Sequence, residues 1–177
     1  MKNKLFLVTL IALFLFQIFL EASKCAENDT QEIKTTKTNN KDREATIVKI
    51  LETAYSLQGT PYKTMGTSPS TGFDCSGFVN YCFAQNGVSV PRSSKEQIKA
   101  GKFVEKCDAK PGDIIVFTGT NAEIREAGHS GIVIENNDCS IEFIHSSSSK
   151  SNNGVVISSV ESTNYSVRFL QVRRVVE

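Results

Sequence analysis

Apolar residues recur at helical spacing in the first half of the chain and at strand-like spacing in the second. Ile47, Ile50, Leu51 and Ala54, widened by Val48, Tyr55 and Leu57, predict a helix over 44–57 that Gly59 closes. Cys75, Phe78, Val79, Cys82 and Phe83 predict a second helix, with Asp74 as its N-cap and a stop at Gly87. After a short extended run over 88–90 and a turn at Pro91, Ser94 and Gln97 match a capping box. They predict a short helix to about Ala100, stopped by Gly101. Five strands are predicted over 113–117, 129–135, 140–145, 154–160 and 167–175, with Asn136-Asn137-Asp138 as a hairpin turn. The loop over 60–73 reads as a cleft wall, 118–128 as a solvated rim and 146–153 as a polar turn. Helices first and strands after make an α+β domain over 44–177.

Two segments precede that domain. Residues 1–24 carry Lys2 and Lys4 ahead of an apolar run from Leu5 to Leu20, as a signal peptide or membrane anchor does. Residues 25–43 are polar, with Ile33 the only large apolar side chain, and read as a flexible linker. Cys25 is a candidate lipidation site. Lys24 stands where a small residue is usual, so lipidation, simple cleavage and an uncleaved anchor all stay open. The expected location is the bacterial cell envelope, in the periplasm or on a membrane.

A net charge of +1 makes no electrostatic case for nucleic acid. No Cys or His spacing suits a metal, and no cofactor is expected. Among five cysteines, Cys82 reads as core, and Cys107 and Cys139 as a pair able to form a disulfide in an oxidising compartment. Cys75 is different. It opens a helix, where unpaired N–H groups and the macrodipole favour a thiolate. A cysteine on a helix is more often plain core, but the chain has two histidines downstream. His129 opens one predicted strand and His145 ends its hairpin neighbour, so their imidazoles can meet across the pair. That pattern suits a nucleophile, a base and an orienting group.

These residues carry a resemblance. Gly59-Thr60-Pro61-Tyr62, Asp74-Cys75-Ser76-Gly77-Phe78, Pro91-Arg92-Ser93-Ser94, Gly128-His129-Ser130-Gly131-Ile132 and Phe143-Ile144-His145-Ser146 occur in that order. Together they resemble the NlpC/P60 cysteine peptidases, and most of all the single-domain Spr-type murein endopeptidases, over roughly 44–177. The resemblance implies a papain-like domain in which a nucleophile helix packs on an antiparallel sheet of about five or six strands. It implies Cys75 as nucleophile, His129 as base and His145 as orienting group. It also implies that Tyr62, Asp74 and Ser94 bind substrate, with the Cys75 N–H and Tyr62 holding the oxyanion. Arg92 is a candidate for a substrate carboxylate. The implied substrate is peptidoglycan, cut beside a diamino acid by a monomer without cofactor. Two other readings stand beside this one: a same-fold thiol amidase or acyltransferase on a non-wall substrate, and a non-enzymatic envelope-binding domain.

Overall fold

A six-stranded sheet with every neighbouring pair antiparallel forms the frame, its strands from edge to edge being Lys102–Val104, Phe169–Arg174, Ile114–Thr118, Ala127–Asn137, Ser140–Ser148 and Asn153–Ser159. The computed structural model describes residues 39–177. The leader over 1–24, Cys25 and the linker as far as residue 38 lie outside the described residues. Residues 43–177 form one compact unit. Among the described residues, no helix is long and apolar enough to cross a membrane.

Helix α1 is already formed at residue 39, before the expected start at 44, and runs to 56. A small hairpin follows, β1 (Thr67–Ser68) with β2 (Gly72–Phe73), then α2 (Cys75–Ala84) and α3 (Ser94–Gln97). The sheet strands are β3 (Lys102–Val104), β4 (Ile114–Thr118), β5 (Ala127–Asn137), β6 (Ser140–Ser148), β7 (Asn153–Ser159) and β8 (Phe169–Arg174). A short 3-10 turn (Lys106–Asp108) precedes β4, and α4 (Thr163–Ser166) precedes β8.

β4 is buried on both faces, as a central strand must be. Ile114 and Val116 face one core with Ile132 and Ile144 of the sheet, Ile50 and Ala54 of α1, and Phe78, Val79, Cys82 and Phe83 of α2. Ile115 and Phe117 face the other core with Val133, Ile141, Phe143 and Val172, with Tyr165 and Phe169 packed against it. Each large apolar side chain removed from water is worth about 1.5–3 kcal/mol, so the strand is anchored from both sides.

Several local expectations are corrected. The capping box at Ser94 does not form: Ser93 is the N-cap of α3, makes no side-chain cap bond, and the helix ends at Gln97. The Gln97 amide is drawn to buried carbonyls instead. The hairpin turn falls at Asp138 and Cys139, both left-handed, between the paired Asn137 and Ser140. Cys139 is joined there to Cys107 by a disulfide. The expected polar turn over 146–153 narrows to 149–152, with 146–148 ending β6 and Asn153 opening β7. Ser146 and Ser147 are buried in β6, and the Ser146 hydroxyl donates to the Phe73 carbonyl at 2.8 Å. Residues 167–168, expected to open the last strand, precede it.

Candidate active site

Cys75 opens α2 as expected, and Asp74 caps it. The Asp74 carboxylate accepts the Gly77 N–H at 2.7 Å. Gly77 is required here because a Cβ would collide with the Gly66 carbonyl and crowd Asp74 and Arg92. The thiol sits against the backbone on both sides of His129. Its Sγ lies 4.0 Å from the Gly128 carbonyl, and the Ser130 N–H faces it.

His129 and His145 are hydrogen bonded, Nε2 to Nδ1, at 2.9 Å. The far nitrogen of His145 lies 3.0 Å from the Ser158 hydroxyl and 3.4 Å from that of Tyr165. Phe143 and Tyr165 flank the His145 ring. Gly131 lets the two strands approach, since a Cβ there would crowd the Phe143 ring, the Ile144 carbonyl and the His145 side chain. The histidines therefore meet across neighbouring strands, as the hairpin pattern predicts.

The electrostatics correct one expectation. The N–H groups of Ser130, Ser76 and Cys75 do pull the thiol pKa down, but burial and the Asp74 charge outweigh them, and it rises above its ordinary value. Burial also holds both imidazoles neutral. His129 lies well below 6.5, helped by His145 and the Arg168 cation. His145 is lowered to about 3, helped by Arg168. Both shifts favour a neutral thiol beside neutral imidazoles over an ion pair. Cys82 is far less acidic still, again through burial.

Of the remaining predicted residues, Arg92 and Tyr62 are close enough to Cys75 to interact with it electrostatically. Arg92 pairs with Asp74 through two parallel bonds, 2.9 and 2.7 Å, and also donates to the Ser76 hydroxyl and the Gly66 carbonyl. Tyr62 is close enough for Cys75 and Asp74 to raise its pKa, though burial contributes most. Ser94 is buried at the start of α3. Among the described residues, no group of three or more His, Cys, Asp or Glu could hold a metal ion.

Sequence reasoning missed Gln97 as a linking residue. Its amide donates to the carbonyls of Ser76 (3.0 Å) and Pro91 (2.8 Å) and accepts from the Ser130 hydroxyl (2.6 Å). Ser76 follows Cys75 and Ser130 follows His129, so one fully buried amide fixes α2 to β5. It also missed Tyr165 and Arg168. Gln97 follows the polar run Ser93-Ser94-Lys95-Glu96, which gives no sign that its amide is buried. Nothing local marks the others.

The model of the NlpC/P60 family matches residues 59–174. The chain is 37% identical over 100 residues to the bifunctional muramidase/DL-endopeptidase CwlT of Bacillus subtilis, covering 53% of this chain and 30% of that protein. It is 34% identical over 128 residues to the murein DD-endopeptidase MepS/murein LD-carboxypeptidase of Escherichia coli K12, covering 72% of this chain and 62% of that protein. This chain therefore spans less than two thirds of either relative. The crystal structure of an NlpC/P60 family protein from Bacillus cereus superposes with a TM-score of 0.65 at 27% identity, over 74% of this chain and 40% of that one.

Proposed function

The chain belongs to the NlpC/P60 family, and from that premise we propose that it is a cysteine peptidase acting on peptidoglycan. The observation that carries this reading is the hydrogen-bonded His129–His145 pair beside a thiol at the head of α2. The bond to His145 uses Nε2 of His129, so Nδ1 remains for the thiol. A neutral imidazole has one donor and one acceptor nitrogen. With Nδ1 as acceptor, Nε2–H donates to His145 Nδ1, and His145 Nε2–H donates in turn to Ser158 or Tyr165. His145 thus holds His129 in the tautomer a base needs.

In the proposed reaction the Cys75 proton passes to His129 as sulfur attacks the scissile carbonyl. The raised thiol and lowered imidazole pKa values mean that this transfer accompanies attack rather than preceding it. The Cys75 N–H, with the Tyr62 hydroxyl near it, supports the oxyanion. The tetrahedral centre collapses, the C–N bond breaks, and His129 returns the proton to the leaving amine. Water then attacks the thioester with His129 as base and restores the thiol. Asp74 and Ser94 are proposed to line the acyl side of the cleft. Arg92, already paired with Asp74, sets the position of that carboxylate.

The wall-acting names of the two relatives support peptidoglycan as substrate. They also support an envelope or extracellular location, with residues 1–43 as leader and tether and Cys25 as the lipidation candidate. Mass spectrometry of muropeptides after digestion tests the reading. New stem-peptide or cross-link products with the wild type and none with Cys75→Ala support it. An unchanged muropeptide profile with the folded wild type refutes it. A reporter fused after residue 43 tests the location by fractionation, and cytoplasmic retention would overturn it.

A further inference from the structure

Beyond His129 lies a cavity of about 430 Å³, lined among others by His129, Ser147, Ser158, Ser162, Tyr165 and Arg168, but not by Cys75. Strand pairing is irregular at the end of β4 that Arg168 joins. The β4–β5 register shifts between Phe117 and Thr118, and the β4–β8 register between Val116 and Phe117. Such shifts bend a strand and re-aim its neighbours. At that end of β4 the Thr118 N–H donates to the Arg168 carbonyl at 2.8 Å, and the Arg168 guanidinium donates back to the Thr118 carbonyl at 3.0 Å. The same guanidinium lies 5.3 Å from the centre of the Tyr165 ring. Arg168 is therefore held at the cavity wall from two sides.

The cavity is chemically one-sided. Among its described lining residues Arg168 is the only Lys, Arg, Asp or Glu, and most of the others are hydroxyl or amide side chains. Arg92 and Arg174 each pair with an aspartate, whereas no carboxylate pairs with Arg168 among the described residues. Its Nε is buried with no hydrogen-bond partner. A guanidinium with no carboxylate partner, set in the cavity wall, favours an anion in the cavity. The direction of the reaction says which anion. His129 returns its proton to the leaving amine, so the leaving half of the substrate lies on His129's side and the acyl half toward Asp74 and Tyr62.

We propose that Arg168, with the hydroxyls around it, binds the carboxylate of the leaving residue, an amino acid whose carboxylate sits on the carbon that bears the leaving amine. This inference rests on the peptidase reading above. Two peptides that differ only in the leaving residue test it, one with that carboxylate free and one with it as a primary amide. The wild type is expected to prefer the acid by about 10–100-fold in kcat/KM, the span of one charge-assisted hydrogen bond. Arg168→Gln should bring the acid-to-amide ratio to about 1, and Arg168→Lys should restore part of it. A role confined to holding Thr118, or to depressing the histidine pKa values, would slow both peptides alike and leave the ratio unchanged. An unchanged ratio in folded Arg168→Gln overturns the proposal. Equal rates for the two peptides with the wild type overturn it without any variant, and leave the peptidase reading intact. Cleavage of neither peptide, with no product from peptidoglycan, overturns both.

Discussion

Arg92 and Arg168 interact electrostatically with the same thiol from opposite neighbourhoods. Arg92 is neutralised by a two-bond pair with Asp74 and tied to Ser76 and Gly66. Its charge is spent within the protein, and it joins the 91–94 segment to the head of α2. Arg168 has no such partner among the described residues, and its field falls on the two histidines, whose pKa values it lowers. A compensated cation builds the surroundings of Cys75, while an uncompensated one adds to the burial that keeps the imidazoles neutral. The same residue type serves position on one side and electrostatics on the other.

The largest break in this comparison comes from the histidines. Removing the base with His129→Ala should lower kcat/KM by about 10²–10⁴-fold. His145→Gln, which keeps an acceptor, should retain a substantial part of the activity, and His145→Ala should lose much more. Steady-state kinetics on a stem peptide, with folding checked by circular dichroism, measures all three. If folded His145→Gln is as inactive as His129→Ala, His145 handles a proton itself.

Acid should expose the same side as a stability effect. Below pH 6.5 the unfolded chain protonates both imidazoles while the folded one holds them neutral, so stability falls as pH falls. Each unit costs about 1.4 kcal/mol per neutral histidine, and for His145 this continues to about pH 3. Urea unfolding midpoints between pH 7 and 5 should drop, and His145→Gln should flatten the slope. Equal slopes for the two proteins would remove His145 from the account.

On the other side, Arg92→Met should destabilise the fold by about 1–3 kcal/mol. That is less than a fully buried pair would lose, because the Arg92 side chain is 39% exposed. Asp74→Asn still caps α2 and should cost less than Asp74→Ala, which loses both roles. Denaturant titration of the three variants orders them, and Asn equal to Ala would reduce Asp74 to its pairing with Arg92.

The smallest effect sharpens the view of the thiol. Cys75 and Cys82 are the thiols among the described residues, and Cys82 is fully buried. Iodoacetamide should label Cys75 first, with a rate still climbing through pH 9 because the pKa is raised. A plateau reached below pH 7 would show a preformed thiolate and contradict the neutral resting state.

How much could be read from the chain follows from where the information lies. Cys75, Asp74, His129 and His145 each sit in a short local pattern, and the helix cap and strand alternation around them are local too. The α+β order and most of the sheet were legible for the same reason. β3 was not, since Lys102-Phe103-Val104 is short and leaves Phe103 exposed, so no alternation marks it. The turn at Asp138 and Cys139 places two non-glycine residues in the left-handed region, beside a disulfide that spacing alone cannot assign. Gln97 reaches Ser130 across 33 residues, and Arg168 reaches Thr118 across 50. Such partners are chosen by tertiary packing, which no window of sequence contains.

The groups against the Cys75 sulfur in β5 are main-chain ones, the Gly128 carbonyl and the Ser130 N–H, on either side of His129. Main-chain groups of one strand thus set the sulfur beside the imidazole, and the Gln97 side chain ties that strand to α2. Under the proposed peptidase reading, side chains of the cleft wall can therefore change without moving the sulfur relative to the imidazole.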